Sequence, residues 1–309
     1  NKANPIRRAS LNLRNNLKKV LEDNLTENES GIMKAVLLGS RSQIKKHIRE
    51  LFAQTGTAHI LAISGLHIGI VAALFLVFIK MFPFSRRLQI FITIFLLVVY
   101  SFLTGGRPSV IRATIIAVVF LFQFILEKES DALNTLALAA FAILFVNPLN
   151  IFDVGFQLSF VCVSSIIFLT PIIKEVILKI FDSHKRIVQS LSMSISVWIG
   201  VLGLVAYYFN IISPITVLAN LIVIPLISLI VALGFGLLIV GSLLPSAVFM
   251  FAICIKISLN ALIVFVFLLS KSPFAYFYIK DVSLWTVWVY YGIVIFAFLY
   301  LRYSLEPSE

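Results

Sequence analysis

From residue 58 to residue 301 the chain is a succession of apolar runs separated by short polar or glycine- and proline-bearing breaks. The runs fall at 58–79, 88–103, 109–126, 133–146, 151–173, 189–209, 211–244, 247–269 and 284–301. About 20 apolar residues in a helix span the hydrocarbon core of a bilayer. Of the 309 residues 60% are hydrophobic and 13% charged, with a mean hydropathy of +1.04. A soluble domain needs a charged exterior that this chain cannot supply. The composition excludes a soluble enzyme and intrinsic disorder. It also excludes a disulfide scaffold, because Cys162 and Cys254 both sit in apolar runs. The expected class is an all-α, polytopic membrane bundle of about 8–10 transmembrane or re-entrant helices.

Two runs depart from a simple span. Residues 133–146 are short and read as a tilted or half-span helix. Residues 211–244 are too long for one straight helix, and Pro214, Pro225, Gly234, Gly236 and Gly241 predict two short or re-entrant helices. Residues 1–57 are polar. Ile6, Leu13, Leu17, Val20 and Leu21 recur at helical spacing among Arg7, Arg8, Arg14, Lys18 and Lys19. Residues 24–31 read as an acidic turn, and 33–54 as a second amphipathic stretch with Arg41, Lys45, Lys46 and Arg49. Both stretches are expected as helices on the membrane surface. Residues 58–302 form the transmembrane region and 303–309 a polar tail. A first residue Asn1, without a signal peptide, suggests a piece of a longer chain.

The 25 Lys+Arg exceed the 14 Asp+Glu, giving a formal charge of +11. Part is a topology signal, and the rest leaves room for an anionic partner, lipid or nucleic acid. If every run crosses, loops 80–87, 127–131 and 174–187 share one side. They carry Lys80, Arg86, Arg87, Lys128, Lys174, Lys179, Lys185 and Arg186. The opposite short loops, 104–108 and 147–150, carry only Arg107. The first group is therefore expected to be cytoplasmic and the N-terminal segment outside. The eleven Lys+Arg of residues 1–57 argue the other way, but long segments obey the rule poorly.

Ionisable and polar groups inside spans are candidate functional residues. His59, Ser64 and His67 form the first set, with Ser64 and His67 three apart on an expected helix face and Gly65 and Gly69 as a notch for a close helix neighbour. Ser–His nucleophilic catalysis is a reading that this helix spacing disfavours. Thr104-Gly-Gly-Arg107-Pro108 is a tight loop, with Pro108 in the first turn of a helix that carries Arg112 one turn inside. Arg107 and Arg112 flank that helix start, which makes an anion site or, for Arg112, an ion pair with Asp153. Asp153 and Gln157, one turn apart, are the third set. Asn220, Lys256 and Asn260 are secondary positions, better read as packing contacts, with Lys256 and Asn260 on one face. No metal-ligand spacing and no nucleotide phosphate loop is present in the sequence, so neither a metal nor another cofactor is expected.

Three segments together, His59-Ile-Leu-Ala-Ile-Ser64-Gly-Leu-His67, Gly105-Gly-Arg-Pro-Ser-Val-Ile-Arg112 and Asp153-Val-Gly-Phe-Gln-Leu-Ser-Phe160, resemble the competence domain of the ComEC family. Asn220-Leu-Ile-Val-Ile-Pro225 is similar to a further family segment, and the likeness covers about residues 30 to 270. The resemblance implies a domain that passes single-stranded DNA across the bacterial inner membrane in natural transformation. It implies single-stranded DNA, membrane lipid and other DNA-uptake proteins as partners. It also implies an OB-type domain and a metallo-β-lactamase-like nuclease domain elsewhere in a parent chain. No nuclease or NTPase motif appears here, so catalysis is not expected. The residues alone leave open a small-solute or ion transporter, and an intramembrane serine hydrolase using Ser64 and His67.

Overall fold

The computed structural model describes residues 5–127, 131–180, 185–243 and 248–305. Twelve α-helices run through them. Seven are long and apolar enough to cross a membrane, and Gly65–Ile79 and Ala132–Val146 are shorter apolar helices. The chain is thus a multi-pass membrane protein of the all-α class, with almost no sheet among the described residues. The helices gather into two units, described separately below. The first holds residues 1–53, 57–131 and 223–268, the second 54–56, 132–222 and 269–309.

The first unit opens with α1 (Pro5–Asn24), half of whose surface is polar and exposed. The expected turn over 24–31 shrinks to Leu25 and Thr26. Thr26 starts α2 (Glu27–Leu38) with a capping box, its N–H donating to Glu29 Oε2 at 2.9 Å. Gly39, in the left-handed region at φ 71°, ends α2. The second amphipathic stretch therefore divides, and its remainder is α3 (Lys46–Gln54). A surface position fails for α2, whose residues from Glu29 to Leu38 are all buried. Lys34 is only 2% exposed, and its ammonium donates to Glu22 and Gln43, so the buried charge is paired. The Tyr100 hydroxyl donates to the Leu37 carbonyl, tying α2 to a membrane helix.

Three apolar helices form a hairpin pair in this unit. They are α4 (Gly65–Ile79), α5 (Arg86–Leu103) and α6 (Pro108–Ile125). Arg87 donates to Glu127 at 2.6 Å, so the 80–87 loop and the end of α6 lie together. The Ser109 hydroxyl donates to the Ile63 carbonyl at the other end. Lys128 lies outside the described residues, as does the stretch 181–184 of the expected basic loop. The expected span 58–79 is not one helix. A 3₁₀ turn (Ala58–Leu61) and extended backbone precede α4, which at 15 residues is roughly 22 Å long.

The expected break within 211–244 is also absent. A single α10 (Thr216–Leu243) runs through Pro225, and its part from Val223 onward belongs to the first unit. Membrane helices tolerate such prolines. The glycines are notches, not breakers. A Cβ on Gly234 would stand 2.5 Å from Met33 and 2.6 Å from Leu37, and one on Gly236 would stand 2.4 Å from Phe251 of α11 (Val248–Ser270). Gly65 and Gly69 show the reverse. Nothing lies within 4 Å of a Cβ on either, so the expected close neighbour is absent among the described residues.

The second unit is built on α8 (Val154–Ile180) and α9 (Lys185–Phe209), with α7 (Ala132–Val146) and α12 (Leu284–Leu305) beside them. The basic stretch expected over 174–186 is not separate: α8 runs through Pro171 to Ile180, and α9 starts at Lys185. Small residues make the α8–α9 seam. Gly200 faces Ser165, and Ser192 and Ser196 are fully buried. Tyr290 and Tyr291 of α12 donate to the carbonyls of Ile199 and Gly200. At one end β1 (Ile211–Ile212) pairs antiparallel with β2 (Phe277–Tyr278).

Candidate functional site

The 3₁₀ turn leaves His59 exposed and sends extended backbone to Ser64, the N-cap of α4. Ser64 and His67 do meet, against the expectation for two residues three apart on one helix. Ser64 lies outside the helix at φ −117°, ψ 179°, and His67 takes the third helical position. The pair forms a capping box with histidine in the usual Glu place. The Ser64 N–H donates to His67 Nδ1 at 3.3 Å, and Ser64 Oγ is 2.9 Å from the same nitrogen. With Nδ1 accepting an amide, the proton belongs on Nε2. That atom is buried and finds no partner among the described residues.

The 104–107 loop closes as its glycines predict. Gly105 and Gly106 have φ of 87° and 61°. Their N–H groups donate to Phe102 and Ser101, which ends α5. Arg107 is the extended N-cap of α6, Pro108 is its first residue, and Arg112 is buried one turn in. Two arginines that the sequence reading did not single out join Arg107. Arg14 donates to the Leu38 carbonyl at 3.0 Å. Arg41 lies two residues beyond Gly39. Partial loss of solvent first, and the charge of Arg107 second, lower both the Arg14 and the Arg41 guanidinium from their ordinary values. The left-handed cap at Gly39 was the available signal, since it turns the chain back just before Arg41.

In the second unit Asp153 is exposed and its carboxylate accepts the Phe156 N–H at 2.8 Å, capping α8. The helix N-terminus is thus one partner of that charge. Gln157 donates to the Ile151 carbonyl and accepts from the Tyr208 hydroxyl at 2.8 Å. Asn220 is buried, and its Oδ1 has no partner among the described residues. Lys256 is half-buried and Asn260 exposed, one turn apart on α11. By unit, His59, Ser64, His67, Arg107, Arg112, Lys256 and Asn260 belong to the first, and Asp153, Gln157 and Asn220 to the second. Among the described residues no three His, Cys, Asp or Glu are grouped to hold a metal ion.

The segments bearing these residues lie within a match to the Competence protein family that covers residues 36–303. The chain belongs to that family. The match reaches α12, further than the resemblance carried by the motifs alone. The chain is 30% identical over 216 residues to ComE operon protein 3 of Bacillus subtilis, covering 70% of this chain and 27% of that protein. It is 28% identical over 142 residues to Recombination protein 2 of Haemophilus influenzae, covering 42% of this chain and 17% of that one. An uncharacterized protein of Aquifex aeolicus is 29% identical over 221 residues, 70% of this chain and 49% of its own length. The chain thus spans about half or less of these relatives. No solved structure matches it.

Proposed function

We propose that this competence-family domain is the channel through which single-stranded DNA crosses the bacterial inner membrane during natural transformation. Membership of the family over residues 36–303 carries the reading. A moving strand presents one phosphate per nucleotide and needs a wet, partly cationic path. Arg107 and Arg112, at the start of α6, supply cations at that helix end. In this reading the partners are the strand, the surrounding lipid, and the OB-type and nuclease-like domains of a longer chain. The domain itself is not catalytic.

The Ser64–His67 distance favours a second reading, an intramembrane hydrolase. The same two residues satisfy each other as a helix cap, which accounts for the contact without a nucleophile. A serine-reactive phosphonate should leave Ser64 unlabelled. A small-solute transporter differs by having an occluded site too narrow for a strand.

The deciding experiment is transformation frequency in a bacterium carrying the full parent protein, with quantitative immunoblotting. Arg112→Ala should lower uptake by ten-fold or more at normal abundance, on the order of one lost charge-assisted contact. Arg112→Lys should keep part of it, because the charge remains and the fork is lost. Unchanged uptake in the alanine variant removes Arg112 from the path. Protein lost in step with uptake gives Arg112 a structural role, as an ion-pair partner of Asp153 would have.

A further inference from the structure

Two glycines without side chains admit two guanidinium groups to one place. The Cδ and Nε of Arg107 lie against Gly39, where a Cβ would stand 3.3 and 3.2 Å away. Arg14 Nη1 lies against Gly105, where a Cβ would stand 3.3 Å away. Both glycines are in the left-handed region, at φ 71° and 87°, so the residue type and the backbone are matched. Arg14 holds its position through Nη2 on the Leu38 carbonyl. Its Nε is closed off from solvent with no acceptor among the described residues. Arg41 joins from the segment after Gly39, two residues beyond the glycine against which Arg107 packs.

None of these three guanidinium groups meets a carboxylate among the described residues. Of the carboxylates on α1 and α2, Glu22 meets Lys34 and Glu29 the Thr26 N–H, and neither Asp23 nor Glu27 pairs with these arginines among the described residues. Gathered like charges repel, and an anion between them relieves the repulsion. A guanidinium presents parallel N–H donors that match two oxygens on one phosphorus. Arg41 and Arg107 hold no hydrogen bond through their forks among the described residues, so both remain available to such an anion.

We infer that Arg14, Arg41 and Arg107 form a docking point for a backbone phosphodiester of single-stranded DNA, an inference that rests on the channel reading above. Arg14 is the fixed wall of the site and contributes field. Arg107 and Arg41 supply the contacts. A phosphodiester site carries no base preference, so it suits a strand of any sequence.

The test uses the chain in nanodiscs of phosphatidylcholine, which removes anionic lipid. A fluorescent oligothymidylate of about 20 nucleotides reports binding by anisotropy between roughly 50 and 200 mM salt. Arg41→Gln and Arg107→Gln should each weaken binding about 3- to 10-fold and each reduce the log–log salt slope by ~0.7. Lys46→Gln should change neither, since Glu50 already meets that charge. An oligomer with an uncharged backbone should not bind. Arg41 is exposed, so its substitution keeps the test valid should Arg107→Gln fail to fold. A wild-type chain that binds the strand, with both variants binding equally well, overturns the site and leaves the channel reading standing. A wild-type chain that binds no strand overturns both. Should the variants instead lose only their preference for phosphatidylglycerol vesicles, the site takes lipid and the inference fails.

Discussion

The two units bury their helices in different ways. The first is packed like the core of a soluble protein, around large side chains such as Phe52, Leu21, Met33, Leu37 and Ile230, each fully enclosed. Its buried Lys34 is paired. The second is packed through small residues and hydroxyls, with Gly200 against Ser165, buried serines along α9, and tyrosine hydroxyls on the carbonyls of Ile199 and Gly200. The difference follows from the solvent. Lipid tails are as apolar as leucine, so helices in a bilayer gain by close approach and hydrogen bonding more than by burying apolar area. The first unit can use bulk because its polar N-terminal segment folds over its membrane helices and brings α2 with it.

That contrast predicts opposite sensitivities. Truncating a large side chain should damage the first unit most. Phe52→Ala is expected to cost about 3–5 kcal/mol, seen as a large fall in the thermal midpoint of helical circular dichroism in detergent. A fall no greater than that of an exposed control such as Phe145→Ala would end the comparison with a soluble core. Enlarging a small residue should damage the second unit. On Gly200 a Cβ would stand 1.7 Å from Ser165 Oγ and 2.5 Å from its Cβ, so Gly200→Ala is expected to cost roughly 1–3 kcal/mol. Ser165→Gly in the same chain should recover most of that loss, and no recovery would place the damage elsewhere.

Smaller effects sharpen the picture. Ser64→Ala removes one half of the cap of α4 and should cost about 1 kcal/mol without blocking assembly. Amide hydrogen exchange at the first turn of α4 is the measurement, and faster exchange confined to that turn is the expected result. Tyr291→Phe deletes only the bond to the Gly200 carbonyl, worth about 0.6 kcal/mol on average between membrane helices. A shift in midpoint as large as that of Gly200→Ala would mean that hydroxyls, and not close approach, hold the seam.

Much of this was readable from residue order. Gly105, Gly106 and Pro108 announce a turn and a helix start by their backbone preferences, which act locally. The short α7 and the apolar lengths of α5, α6, α9, α11 and α12 follow from composition. The misread elements are those whose outcome depends on a distant partner. Gly234 and Gly236 weaken a helix in isolation, yet Met33, Leu37 and Phe251 fill the space they leave. Lys34 and Glu29 mark α2 as polar, yet Glu22, Gln43 and Thr26 satisfy them internally. Ser64 and His67 were legible as a pair and not as a cap, because helical spacing assumes that both residues are in the helix. Asp153 was legible as a charge needing compensation, but not as the cap of its own helix. Arg14 carried no local mark that would connect it to Arg107, and for Arg41 the one mark was Gly39, two residues before it.

The late start of α4 bears on the membrane potential. Its 15 residues give ~22 Å of apolar helix, against ~30 Å for an average hydrocarbon core. A voltage dropped across ~22 Å instead of ~30 Å makes a field steeper by about a third. Moving one elementary charge through ~100 mV is worth about 2.3 kcal/mol whatever the thickness. The force on that charge is larger where the insulating layer is thinner. A thin wall beside α4 would concentrate the electrical pull of the cell on the short stretch of any anion passing it.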